Sequence, residues 1–370
     1  MSNQVITTDV LIIGGGVIGC AIAYELSRER ISVTLVDRGP IGGGTSRVAS
    51  GLLAPIRPFL PPDHRRMRLL VHALNTLRAE LAELEEIRPE IVYQQTRLLR
   101  LCRADKRLQK WLASWQQAGV TLEVVDQQEA RRWEPYLCCL DDGDETVVIA
   151  HSHELYLDAR RLIEAYAEAA RRQGALFLPY RPVVGLLRES GRVLGVETPE
   201  GPIWRHHLII AAGAWSTQCA SWLDQPLPLR PQYGQAIVVV GPASSLRYVF
   251  VGNGIYLVPR AEGLLIGATH RERGFDASPM EEDTLDLLTR ARRLVMLADC
   301  RVIQVRAGLR PVTSDHLPLI GPLSEGVSIA SGHGGFGLLW SALTAQAMKA
   351  FIMTGQMPGS LHCCAPQRFQ

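Results

Sequence analysis

Residues 10–28 read VLIIGGGVIGCAIAYELSR. The run 10–13 is continuously apolar and of strand length, the glycines at 14, 15, 16 and 19 form a turn, and Val17–Arg28 predicts a helix. A second apolar run, Val33–Val36, ends at Asp37. Strand, helix and strand make a βαβ opening. Gly14, Gly16 and Gly19 spell G-x-G-x-x-G directly after the first strand, with Asp37 about twenty residues on. Glycines let the backbone turn tightly and approach a pyrophosphate, the helix N-terminus offers unpaired N–H groups, and Asp37 can accept from ribose hydroxyls. The ligand expected is a dinucleotide, and the motif alone does not choose between NAD and FAD.

The 370 residues are 47% hydrophobic and 21% charged, which excludes a disordered chain and suggests two domains or one α/β unit with an inserted lobe. Lys+Arg number 39 and Asp+Glu 37, so the basic excess of a nucleic-acid binder is missing. Eight cysteines include no CxxC pair, and the neighbours 138–139 and 363–364 are poorly placed for a simple bridge. A reducing, cytoplasmic setting is expected. The N-terminus has no basic region before its apolar run, so no signal peptide is expected. The uncharged stretch 327–348 contains His333 and several glycines; it reads as a buried loop and core helix, not as an integral membrane segment.

Along the chain, helices are predicted at 63–88, 108–118 and 128–133, with no evident strand among them. Asp158 is placed to cap a helix at 159–173 that Gly174 ends. Runs 183–187 and 193–197 flank the turn residues Glu189, Ser190 and Gly191 and predict a hairpin; 203–205 and 207–212 predict two further strands. Short runs at 235–240, 248–251, 254–258 and 264–268 predict an antiparallel sheet, closed by a helix at 282–297. The chain returns through 306–310 to a last helix at 338–353.

Placement of the glycine motif near the start, followed by Thr45, Ser46 and ASGLL at 49–53, favours FAD. Here the chain resembles the D-amino acid oxidase family of flavoproteins, and within it the glycine oxidases that supply thiamine biosynthesis. The resemblance spans almost the whole chain and is carried by IGGGVIGCAIAYEL at 13–26, TSRVASGLL at 45–53, LIIAAGAWS at 208–216, YLVPR at 256–260, AGLRP at 307–311 and SGHGGFGLL at 331–339. It implies an α/β fold: a Rossmann-like FAD-binding domain (1–60, 150–225 and 301–370) interleaved with an antiparallel-sheet substrate domain (61–149 and 226–300).

The resemblance also implies where FAD would lie. Val17 and Ile18 join the glycines at the pyrophosphate turn, Asp37 and Arg38 meet the adenosine ribose, and Thr45 and Ser46 approach the phosphates. Ser50, Gly51 and Leu52 run beside the flavin, the Val183 backbone meets the adenine, and Gly213 and Trp215 complete the set. The loop His333, Gly334, Gly335, Phe336, Gly337, Leu338 and Leu339 contacts the flavin and opens a helix whose N-terminus favours negative charge. His333 has an alternative as a satisfied structural histidine.

For the substrate, the Arg310 guanidinium suits bidentate binding of a carboxylate, and the resemblance makes it the clamp on an amino acid. A surface arginine is the alternative. Tyr256 would add a phenolic hydrogen bond, unless it is a core strand residue. Two positions depart from the glycine oxidases: Gly335 stands where they carry a second arginine, and His270 stands where an apolar residue is usual. His270 is therefore expected beside a more polar or larger substrate side chain. Sarcosine oxidases attach flavin through a cysteine near 307–310; none is present here, so non-covalent FAD is expected, and no metal. The resemblance implies a small amino acid substrate, dioxygen as electron acceptor and a homo-oligomer. The rivals are a dehydrogenase passing electrons to a quinone or carrier, and the flavin subunit of a heteromeric amino acid dehydrogenase.

Overall fold

The computed structural model describes residues 6–56, 63–89, 93–137, 146–223, 226–241, 246–297 and 299–369. In it the opening βαβ unit is strand Ile6–Ile13, helix Val17–Arg28 and strand Val33–Val36. The first strand lies between Ile203–Ile210 and Val33–Val36, parallel to both. Its last four residues, 10–13, are apolar on both sides because both sides are covered there. Val10 and Ile12 pack toward the helices Val17–Arg28, Ala159–Arg172 and Gly337–Thr354, while Leu11 and Ile13 pack on the opposite face with Ile210, Leu229 and Ile329. Leu176–Leu178 extends this eight-stranded sheet beyond Val33–Val36. Val327–Ser331 lies parallel to Ile203–Ile210 and pairs with antiparallel Leu319–Ser324; the hairpin Gly185–Glu189 and Arg192–Glu197 completes the sheet.

A nine-stranded second sheet runs in the order Arg301–Val312, Arg230–Val240, Gly263–Gly267, Ile255–Arg260, Val249–Gly252, Tyr93–Arg103, Thr146–Leu157, Leu52–Leu53, with Glu123–Val125 also on Thr146–Leu157. Every pairing is antiparallel except Val249–Gly252 with Tyr93–Arg103. Ile237 and Val239 face the helix Glu281–Arg292, and Val238 and Leu265 face Trp111 and Trp115 of the helix Lys106–Gln117. Asp63, Asp105, Asp126 and Asp158 each accept backbone N–H bonds at the start of a helix, a cap whose loss costs about 1 kcal/mol.

Several expectations need correction. The region 61–149 contains strands after all. Tyr93–Arg103 escapes the period-two pattern because a bulge between Thr96 and Leu98 shifts its register and only part of it is buried. The two strands expected over 203–212 are one, Ile203–Ile210: His207 does not break it, because its Nε2 bonds Ser328 Oγ at 2.9 Å. Burial lowers the His207 pKa to about 4, with the Arg205 charge adding, so the strand carries a neutral ring. Strands Leu52–Leu53, Thr146–Leu157 and Arg301–Val312 belong to the second sheet, so strand membership does not follow divisions at 60, 150 and 300. Val183 precedes the hairpin strand, which starts at Gly185. The cysteine pair 138–139 lies outside the described residues.

The uncharged stretch becomes the strand Val327–Ser331, a tight turn and the helix Gly337–Thr354. Among the described residues one helical segment, Gly334–Thr354, is long and apolar enough to cross a membrane. Leu339, Trp340, Ala342 and Met348 of this helix are buried in the core beside the parallel sheet.

Candidate active site

A cavity of about 860 Å³ opens beyond the carboxyl ends of the parallel strands and reaches the second sheet. That is where open α/β sheets bind ligands. Gly14, Gly16, Val17, Ile18, Asp37, Arg38, Thr45, Ser46, Ser50, Val183, Gly213 and Trp215 border it, as do Tyr256, His270 and Arg310 and the loop from His333 through Leu338. Four expected site residues do not. A Cβ on Gly19 would overlap the Gly14 carbonyl, so this glycine serves helix-to-strand packing. Gly51, at φ +68°, lies against the Leu157 carbonyl. Leu52 pairs with Tyr156 and is buried, and Leu339 is buried in the core.

At the parallel-sheet end, Gly14 has φ +113° and a Cβ there would stand 2.5 Å from the Ala211 carbonyl oxygen. Gly16 caps the first helix without a side chain, and Ser46 Oγ accepts from Val17 N at 3.1 Å. The Asp37 carboxylate accepts from Gly15 N at 2.7 Å and Gly39 N at 2.8 Å. Asp37 therefore shapes the turn itself as well as bordering the cavity. Thr45 Oγ1 donates to the Leu309 carbonyl at 2.6 Å, tying this end to the second sheet. The Arg38 guanidinium lies 4.3 Å from the Trp215 ring centre.

The helix Gly337–Thr354 begins at the cavity wall with no side-chain cap, so its positive end faces the same space. His333 is buried, with Nε2 3.0 Å from Thr344 Oγ1, and burial lowers its pKa to about 3. It is a neutral ring held by a hydroxyl and is unsuited to carry a proton between pH 5 and 8. Among the described residues Asp37 is the sole acidic group on the cavity wall, against Arg38, Arg181, Arg306 and Arg310. Two helix N-termini, a glycine cradle and this excess of guanidinium fit a bulky pyrophosphate-bearing cofactor together with an anionic substrate. Cys219 also borders the cavity, and burial pushes its thiol up to about 12. A thiol so held is no nucleophile.

At the other end, Arg310 projects from the strand Arg301–Val312. Its Nη1 donates to the Thr269 carbonyl at 3.1 Å and the Tyr233 carbonyl at 3.4 Å. Enclosure lowers its pKa from the ordinary arginine value, which the nearby Tyr256 hydroxyl opposes. No carboxylate among the described residues forms an ion pair with it. The Tyr256 hydroxyl lies against Gly267, its register partner across the sheet. His270 sits next to Thr269 with its side chain exposed at the cavity rim. Gly335 adds no side chain to the wall. Sequence reasoning missed Gly234, Gln232 and Gln235, which also border the cavity. A signal existed for Gly234, since a lone glycine within a strand marks a close approach; here a Cβ would overlap the guanidinium of Arg310.

A glycine turn of the dinucleotide-binding kind and the Arg310 guanidinium open on one cavity, at the junction of two sheets, an arrangement that fits a flavin-dependent oxidoreductase. The chain belongs to the family described as FAD dependent oxidoreductase, DAO, whose model matches residues 9–350. It is 31% identical over 350 residues to the glycine oxidase of Geobacillus kaustophilus, covering 91% of this chain and 90% of that one. The crystal structure of the Geobacillus kaustophilus enzyme superposes with a TM-score of 0.90 at 27% identity, covering 98% of this chain and 99% of the other. The hydrogen cyanide synthase subunit HcnC of Pseudomonas aeruginosa is 28% identical over 409 residues, covering 98% and 97%.

Proposed function

We propose that this protein oxidises glycine, sarcosine or a small D-amino acid at the carbon–nitrogen bond. The product is an imine that water converts to an oxo acid and ammonia, or an amine from sarcosine; dioxygen takes up the two electrons and two protons as hydrogen peroxide. The observation that carries the proposal is Arg310, a guanidinium held by two carbonyls, without a carboxylate partner among the described residues, on the cavity that the dinucleotide turn lines.

FAD, when bound, supplies the two-electron acceptor. Gly14, Gly16, Val17, Ser46, Asp37 and Arg38 would hold its dinucleotide portion, and the 334–338 loop its flavin end. The chain's own work is placement. Arg310 binds the substrate carboxylate in two parallel hydrogen bonds, Tyr256 donates a third, and the α-carbon hydrogen is thereby turned toward the cofactor. His270 stands at the rim, where a substrate side chain would project, and Gly335 leaves the opposite loop without a competing cation. The parallel sheet carries the cofactor and the second sheet the substrate groups. A cytoplasmic homo-oligomer, supplying an imine to thiamine biosynthesis, completes the proposal.

The test is the visible flavin spectrum of the purified protein mixed anaerobically with glycine, sarcosine, D-alanine and D-proline in turn, followed by oxygen uptake. Bleaching by glycine or sarcosine with peroxide formation is expected. Bleaching without oxygen uptake would assign the electrons to a quinone or carrier protein, and a spectrum none of the four changes would remove the substrate class.

A further inference from the structure

Behind Arg310 lies a largely buried polar group of residues, of which Gln235 also borders the cavity. Asp283, in the first turn of the helix Glu281–Arg292, is completely buried. Its Oδ2 accepts from Thr269 Oγ1 at 2.9 Å and its Oδ1 from Arg271 Nε at 2.5 Å. Thr269 Oγ1 in turn accepts from Gln235 N at 3.0 Å, and Thr269 N donates to the Gln235 carbonyl at 3.1 Å. The buried Gln235 side chain accepts from Tyr233 Oη at 2.6 Å and Met280 N at 2.7 Å, and donates to Thr284 Oγ1 at 2.9 Å. Arg271 exchanges both backbone bonds with Tyr233, at 2.9 and 3.1 Å.

The two carbonyls that hold the Arg310 guanidinium belong to Thr269 and Tyr233, and both residues are members of this group. We propose that Asp283 is the positioning residue for the carboxylate clamp. Its carboxylate fixes the 269–271 segment, the segment aims the Thr269 carbonyl, and that carbonyl sets the direction of the Arg310 fork. A buried carboxylate bonded on both oxygens is costly to form and stiff once formed, which suits a part whose task is to hold an orientation. The inference rests on the substrate role proposed for Arg310.

The test uses the FAD-loaded enzyme and acetate as the probe carboxylate, with affinity read by calorimetry, alongside KM, kcat, flavin content and Tm. Asp283→Asn keeps the shape but cannot accept on both sides. It is expected to weaken acetate and raise KM about tenfold, with kcat and flavin content within twofold. Thr269→Val should do the same and Thr269→Ser should restore wild-type values, a contrast that remains decisive if Asp283→Asn fails to fold. In an Arg310→Ala background Asp283→Asn should have no further effect on acetate. If Arg310→Ala weakens acetate while Asp283→Asn, or Thr269→Val in its place, leaves it within twofold, the positioning inference is wrong and the clamp stands. If Arg310→Ala itself leaves acetate binding unchanged, the proposed substrate role of Arg310 falls first.

Discussion

Gly234→Ala tests the clamp with one methyl group. Gly234 lies in the strand Arg230–Val240 opposite Gly308, and its backbone conformation is open to any residue. The substitution therefore costs no backbone strain, and the loss of glycine freedom in the unfolded chain favours folding by about 0.4–1 kcal/mol. The added carbon would overlap Nη1, Cζ and Nη2 of Arg310. Those atoms end a flexible side chain, so they can yield, but only by moving about 1 Å to regain ordinary contact. A carboxylate held by two parallel charged hydrogen bonds then keeps one at best. A hydrogen bond to a charged group contributes about 1.5–3 kcal/mol, so a loss of about 2–3 kcal/mol is expected, or about 30- to 140-fold in kcat/KM. Steady-state kinetics, flavin content and Tm are the assay, with Tm and flavin expected to hold. A kcat/KM within threefold of wild type, at unchanged Tm, would show that substrate does not depend on the observed guanidinium position.

Gly14→Ala combines φ +113° with a Cβ 2.5 Å from the Ala211 carbonyl oxygen, so protein purified from it should be colourless; a full complement of yellow cofactor would overturn the assignment of this turn. Acid precipitation of the wild type should leave the flavin in the supernatant, and colour retained in the pellet would indicate a covalent bond. Glu80 supplies a pH effect. Burial raises its carboxyl from 4.5 to about 8, opposed by the nearby Tyr166 hydroxyl and reinforced by Glu25 and Glu83. The folded chain then holds a proton that the unfolded chain releases above 4.5, so this group's contribution is full below pH 4.5 and is lost as pH rises through 8. Tm should fall from pH 5 to 9, and Glu80→Gln should flatten that slope; an unaltered slope refutes the assignment.

What could be read from sequence was local in origin. The run 10–13, the glycines at 14, 16 and 19, and the cap Asp158 announce themselves within a few residues, because strand burial, turn geometry and capping are decided by near neighbours. Arg310 stands out for a related reason, since few residue types can bind a carboxylate in two bonds, and the structure places it on the cavity wall. Gly51 and Leu52 do not border the cavity because their neighbours are the distant Leu157 and Tyr156, and nothing in ASGLL states which strand will lie alongside. Tyr93–Arg103 hid behind its bulge. Asp283 gave no signal at all: its partners are at 269 and 271, and it acquires meaning only when the sheet brings Gln235 and Tyr233 beside them.

The same contrast explains how the two ends of the cavity keep their distance. Thr45, from the loop after the dinucleotide turn, donates to the carbonyl of Leu309, the residue immediately before Arg310. Arg260 of the second sheet donates to the carbonyl of Leu157 in the same sheet and to that of Ser50 in the loop before Leu52–Leu53. The loop that would hold the cofactor phosphates and the strand that would carry the carboxylate clamp are thus joined by a hydrogen bond one residue from Arg310. A reaction driven by orientation needs that separation fixed to a fraction of an ångström. With Thr45 bonded to the neighbouring Leu309 and the Thr269 carbonyl bonded to the guanidinium, Arg310 is braced by the loop at the cofactor end as well as by the second sheet. Loosening either brace should therefore reduce substrate capture before it reduces cofactor binding.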